Sequence, residues 1–214
     1  NSLDFKVYKK EAINNKSTLN SSFVHSLLKD KNNNIWAGTQ EGLNFYSRDL
    51  DKFNSITFNE ANQNIKFAVH AIEEFNDSTL LVGTHQNGLL KLNKNDYSFK
   101  RVNYKSNNSI SSLLINSIVK TEDEKFIVGT NQGLMTFDPY NSTLQLTKFD
   151  LNDKYETVES SIESILIDNN KTLWLGTSSK CLIKITNTDD SYKIQNLMIT
   201  NKRVLSLSLK QDGN

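Results

Sequence analysis

The 214-residue sequence holds one cysteine, Cys181, so no disulfide can form within it, and a lone thiol does not decide the redox compartment. Proline occurs once, at Pro139. Neither sign of charge prevails: 25 basic residues stand against 24 acidic ones, for a formal net charge of +1, and no long run of either sign occurs. The clustered basic face of a nucleic-acid grip is therefore missing. No apolar run approaches the roughly 20 residues of a membrane span. The longest, around Ser160–Ile167, is interrupted by Glu163. No signal peptide opens the chain at Asn1, so export would depend on a targeting segment outside it. No metalloprotease His-Glu-x-x-His, nucleophile elbow, phosphate-binding glycine loop or paired cysteine is present.

Glycine is also scarce, and its few positions reveal the organisation. Of eight glycines, seven fall into two recurring slots. The first slot is Gly38, Gly83, Gly129 and Gly176, at intervals of 45, 46 and 47 residues, always inside an apolar-apolar-x-Gly-Thr segment. The second is Gly42, Gly88 and Gly133, each preceding a leucine, with Cys181 in that slot of the fourth repeat. Glycine serves where φ is positive or backbones approach closely, so these slots mark a strand–hairpin–strand unit.

Each repeat reads as four short strands. Strand A is Val24–Lys29, Val69–Glu74, Ile115–Lys120 and Ile162–Ile167, with a further copy at Val204–Lys210. Strand B ends in Gly-Thr, and strand C starts at Leu43, Leu89, Leu134 or Leu182. Strand D is Phe53–Phe58, Phe99–Tyr104, Leu144–Phe149 and Tyr192–Leu197. β-Branched and aromatic residues fill these segments, turn residues separate them, and no window sustains a 3.6-residue period. A period near 45 with four strands per unit predicts an all-β β-propeller. Blades are expected at about 21–58, 66–104, 113–149 and 160–199. Residues 1–10, with Phe5–Lys9, read as the last strand of a preceding blade, and 203–214 as the first strand of a following one. The chain is thus expected to be part of a larger ring of seven or eight blades.

The segment running from Val24 to Leu43 resembles the two-component regulator propeller repeat: Val-x-Ser-Leu, then Asp30, Ile35-Trp36-Ala37-Gly38-Thr39 and Gly42-Leu43. Leu81 and Ile127 depart from it by replacing tryptophan, and Cys181 by replacing glycine. The resemblance implies a periplasmic sensor segment of a hybrid two-component histidine kinase, non-enzymatic in itself, responding to a small molecule or oligosaccharide and signalling across the membrane. It implies further blades of the parent chain and a homodimer as partners, and a membrane tether only through parts outside this sequence. No cofactor or metal is called for. A propeller lyase or glycosidase and a pure interaction scaffold remain the alternatives.

Candidate ligand residues follow from the repeat. His25, His70, Asn116 and Glu163 share one strand A position that varies while its neighbours do not. Glu163 is the only carboxylate among them, so no acid–base pair is evident. The B–C hairpin tips, Gln40-Glu41, His85-Gln86-Asn87, Asn131-Gln132 and Ser178-Ser179-Lys180, are expected on one face with the D–A loops, and their amides, hydroxyls and charges suit a hydroxyl-rich ligand. Trp36 and Trp174 occupy identical strand B positions and are expected in the blade core, each costing about 3–5 kcal/mol on truncation to alanine. Ser26–Lys29 and Ser117–Lys120 match Ser-x-x-Lys only because the repeat places them so.

Overall fold

The computed structural model describes residues 7–8, 10, 18–60, 63–105, 113–151, 154–178, 181–188, 191–198 and 203–209, and among these there are strands but no helix. Four antiparallel sheets follow the repeat. The first is β1 (Val24–Lys29), β2 (Ile35–Thr39), β3 (Gly42–Ser47) and β4 (Lys52–Ile56). The second is β7 (Val69–Asn76), β8 (Thr79–Thr84), β9 (Leu89–Asn93) and β10 (Phe99–Arg101). The third is β12 (Ile115–Lys120), β13 (Phe126–Thr130), β14 (Gly133–Asp138) and β15 (Thr143–Leu146). The fourth is β18 (Ile162–Ile167), β19 (Leu173–Thr177), β20 (Cys181–Asn187) and β21 (Tyr192–Met198). Strands neighbouring in sequence are neighbours in each sheet, the meander that short polar turns permit. The chain divides into two compact units, residues 1–82 with 91–100, and residues 83–90 with 101–214.

Strand D departs from the sequence expectation. In the first three repeats it is not one strand but two, and the second half leaves its sheet. β5 (Phe58–Glu60) pairs with β6 (Gln63–Ile65), and β16 (Phe149–Asp150) with β17 (Tyr155–Glu156). β11 (Asn103–Tyr104) joins the outer edge of the third sheet, parallel to β15. The break has a repeated cause: Val102 N–H donates to Leu89 C=O and Thr147 N–H to Leu134 C=O, ending the ladder at the start of strand C. Beyond it an aromatic ring meets the first residue of the next strand D. Phe58 touches Phe99 edge-on at 5.6 Å, and Phe149 touches Tyr192 at 5.2 Å. Tyr8 makes the same contact with Phe53 at 5.3 Å, although Phe5 and Lys9 of that expected strand lie outside the described residues.

Residues 203–209 are not assigned to a strand, and residues 210–214 of the expected fifth copy of strand A lie outside the described residues. The segment still packs as an A strand does, with Val204 against Gly176.

The two glycine slots do different work. A Cβ on Gly38 would lie 2.4 Å from Ser26 Oγ and 2.8 Å from Val69 C=O, so this glycine admits strand A of its own sheet and of the next. Gly129 is closed in the same way by Ser117 and Ile162. At the hairpin slot, Gly133 has φ +121° and lies against Val158 C=O. The threonines close the hairpins: Thr39, Thr84 and Thr130 Oγ1 donate to the carbonyls of Gly42, Gly88 and Gly133 at 3.0, 2.8 and 2.8 Å.

In the first unit the packing between sheets contains a buried charge cluster. Asp30 Oδ2 accepts from the Trp36 indole at 3.0 Å and from Lys94 Nζ at 3.2 Å, while Lys94 also bonds Glu74 Oε1 at 2.6 Å. Asp30 Oδ1 takes the backbone N–H groups of Asn32 and Asn34, which closes the A–B turn. Lys31 N–H donates to Glu74 Oε2 at 3.1 Å, fixing that turn to the second sheet. Trp36 is 2 % exposed and packs on Phe45. Trp174 differs from the expectation: its indole bonds Asp168 at 2.8 Å, but the ring is only half-buried and lies under Lys184 Nζ at 5.2 Å.

Candidate functional site

The variable strand A position is a β-bulge. The register between strands A and B slips at Val24/Ser26, Ile115/Ser117 and Ile162/Ser164, which leaves His25, Asn116 and Glu163 out of the ladder. A bulged residue aims its side chain independently of the pleat, so its identity is released from the packing rule that fixes its neighbours. In the first unit this brings His25 and His70 together, with ring centroids 4.3 Å apart and planes inclined by 32°. His25 Nε2 also lies 3.0 Å from Gln40 Oε1, joining the bulge to the first hairpin tip. In the second unit Asn116 Nδ2 donates to Ile162 C=O at 2.8 Å, and Ser161 Oγ to Glu163 Oε1 at 3.4 Å. Among the described residues, no group of three or more His, Cys, Asp and Glu is placed to hold a metal ion.

Three of the four hairpin tips are tied back to the segment before strand A of their own repeat. Gln40 N–H donates to Phe23 C=O, Asn131 N–H to Leu114 C=O and Ser178 N–H to Ser161 C=O, at 3.0, 3.1 and 3.1 Å. The tips therefore sit on a fixed backbone, as recognition loops on a scaffold do. Several polar groups are already committed to the fold. Asn131 Oδ1 accepts from Leu114 N–H, Asn87 N–H donates to Thr84 Oγ1, and Gln132 N–H donates to Thr130 Oγ1. Glu41 bonds Lys10 at 2.5 Å and Lys66 at 3.1 Å, and these two ammonium groups hold its carboxyl below the usual carboxylate range. Gln40, His85 and Gln86 are exposed. Ser179 and Lys180 lie outside the described residues.

A second feature was not anticipated from the sequence. Within the second unit, a cavity of about 950 Å³ opens between the third and fourth sheets. Ile127, Ile167, Leu173 and Ile185 form its apolar wall, Phe149 and Tyr192 lie along one side, and Lys105, Lys125, Lys148 and Lys171 stand around it. Lys125 is paired with Asp123 at 2.6 Å and Lys171 with Glu122 at 2.7 Å. The sequence signal for it lies in two repeat positions that vary together: Asp30 with Trp36, Phe75 with Leu81, Thr121 with Ile127, and Asp168 with Trp174.

Residues 18–41 match the family model described as the two component regulator propeller. The extracellular domain assigned to the hybrid two-component system BT3049 of B. thetaiotaomicron has the same fold over 95% of this chain and 25% of its own length, at 17% identity and a TM-score of 0.65. The one assigned to BT4673 of B. thetaiotaomicron matches over 76% of this chain and 21% of its own, at 22% identity and a TM-score of 0.60. The WD40 β-propeller domain of Doa1 matches over 80% of this chain and 53% of its own, at 12% identity and a TM-score of 0.56. No curated protein sequence matches the chain. The chain spans about a quarter or less of the length of the two B. thetaiotaomicron domains. What these likenesses establish is the fold, a run of β-propeller blades.

Proposed function

We propose that this β-propeller segment belongs to the extracytoplasmic sensor domain of a hybrid two-component histidine kinase, on the periplasmic side of the inner membrane. The observation that carries the reading is the repeat at residues 18–41, together with a fold shared with extracellular domains of such systems. The segment itself contributes recognition and rigidity, not catalysis. Its ligand is an oligosaccharide held by the hairpin face, where His25, His70 and Gln40 group together and the exposed amides and imidazoles can serve hydroxyl groups. Binding biases one arrangement of a homodimeric receptor over another, which requires different affinities for the two.

Further blades are partners in this reading. Val24 and Leu27 on the first sheet are 42% and 69% exposed, whereas their repeat equivalents Val69, Ile115 and Ile162, and Ile72, Ile118 and Ile165, are all buried. Where the neighbour is described, the valine or isoleucine rests on a strand B glycine, as Val69 does on Gly38. The same face of the first sheet suits a preceding blade.

The test is calorimetry of the complete ectodomain against a glycan panel, repeated with His25→Ala, His70→Ala and His85→Ala. A ligand whose affinity drops by about 1 kcal/mol or more in at least one variant supports the assignment. A ligand indifferent to all three removes the hairpin face from the account.

A further inference from the structure

The boundary between the third and fourth sheets has the plan of the boundary between the first and second, without its filling. In the first unit that space holds the Trp36 indole, its acceptor Asp30, and the Glu74 and Lys94 side chains. Their repeat equivalents are Ile127, Thr121, Ile167 and Asn187. All four line the cavity of about 950 Å³. An indole has become an isobutyl-sized side chain, and two carboxylates have become a hydroxyl and a hydrocarbon. Thr121 Oγ1 is turned away to Asp123 Oδ1 and Lys125 C=O, at 2.5 and 3.0 Å, so it closes its own turn instead of facing the space.

The positions of the indole and of the two buried carboxylates are empty of both, and around the space stand four lysines, the carboxylates Glu122 and Asp123, and the rings of Phe149 and Tyr192. Of its four lysines, Lys125 and Lys171 are neutralised by Asp123 and Glu122, but Lys105 and Lys148 make no ion pair among the described residues. Both lie at the outer strands, Lys105 just after β11 and Lys148 between β15 and β16. Pockets of about 300–1,000 Å³ with apolar walls and a few polar groups are the usual form of a small-molecule site. We propose that this cleft binds a planar aromatic carboxylate. Its ring takes the place that the Trp36 indole occupies in the first unit, against Ile127, Ile185 and the Phe149–Tyr192 edge. Its carboxylate bonds Lys105 and Lys148 at the outer strands. The site runs from the A–B turns along the outer strands of the third and fourth sheets, and is independent of the sensor reading.

The test is calorimetric titration of the 214-residue chain with 2-naphthoate and with its neutral analogue 2-naphthylmethanol. Naphthoate is expected to bind saturably, about tenfold tighter than the alcohol. Lys105→Met with Lys148→Met is expected to remove that advantage and leave the alcohol's affinity unchanged. Thr121→Asp with Ile127→Trp, which reinstates the repeat's own pair in the space, is expected to abolish binding of both without lowering the melting temperature. Absence of saturable naphthoate binding to the parent chain, or binding that persists in the folded Thr121→Asp, Ile127→Trp protein, overturns the proposal. Should that variant fail to fold, an unchanged naphthoate affinity in the lysine variant overturns it as well.

Discussion

Asp30 bears several functions at once: it closes a turn, accepts from Trp36 and meets Lys94. Burial alone would raise its pKa, but the hydrogen bonds from Trp36, Asn34 and Lys94 outweigh that and hold it at about 2. A carboxyl depressed below its unfolded value of about 3.9 stabilises the fold above that pH and loses its contribution as pH falls toward the folded value. The difference corresponds to about 2–3 kcal/mol. The melting temperature of Asp30→Asn should therefore fall well below that of the parent protein at pH 6, and the gap should narrow between about pH 4 and pH 2. A gap that stays constant with pH would assign the loss to shape alone. The two tryptophans separate at the same scale. Trp36→Ala should cost about 3–5 kcal/mol, whereas half-buried Trp174, with Lys184 across its face, should cost about 1–2 kcal/mol by urea denaturation. Equal losses would show that exposure does not govern the difference.

Within each element, the strands and hairpins were readable because they depend on residues a few positions apart. The Gly-Thr segments and the leucines after them are now β2, β8, β13 and β19 with the strands that follow. The splitting of strand D was not readable. Phe53–Phe58 and Leu144–Phe149 look like uninterrupted strands, and their second halves leave the sheet toward the following repeat, as Phe149 does toward Tyr192. The same reasoning explains why the cluster of Asp30, Glu74 and Lys94 and the cavity in the second unit escaped notice. Each is made by residues from two repeats, as with the 64 positions separating Lys94 from Asp30, and a pattern within one repeat cannot report them. The bulge was half legible: the varying identity of His25, His70, Asn116 and Glu163 marked a position outside the packing rule, but not where those side chains go. The glycine slots carry a prediction at this scale. Gly38→Ala should cost about 1–3 kcal/mol, because its Cβ has no room between Ser26 and Val69. Gly133→Ala should cost more, since a positive φ adds to the collision with Val158 C=O. Urea midpoints that move in the opposite order would contradict this use of the two slots.

At the scale of the whole molecule, the proposed sensor role requires a propeller fold outside the cytoplasm. None of the described residues forms a helix long and apolar enough to cross a membrane. The sheets supply rigid backbones, the bulges and hairpin tips carry the variable polar groups, and the boundaries between sheets are either filled, as around Trp36, or open, as at Ile127. The central claim is that these surfaces face the periplasm as part of a transmembrane sensor. The measurement that tests it most directly is protease protection of the full-length parent protein in its native cells, with an antibody against residues 1–214. Proteinase K added after the outer membrane is permeabilised should destroy the epitope while a cytoplasmic marker survives. An epitope that persists until the inner membrane is lysed would place the segment in the cytoplasm and contradict the account.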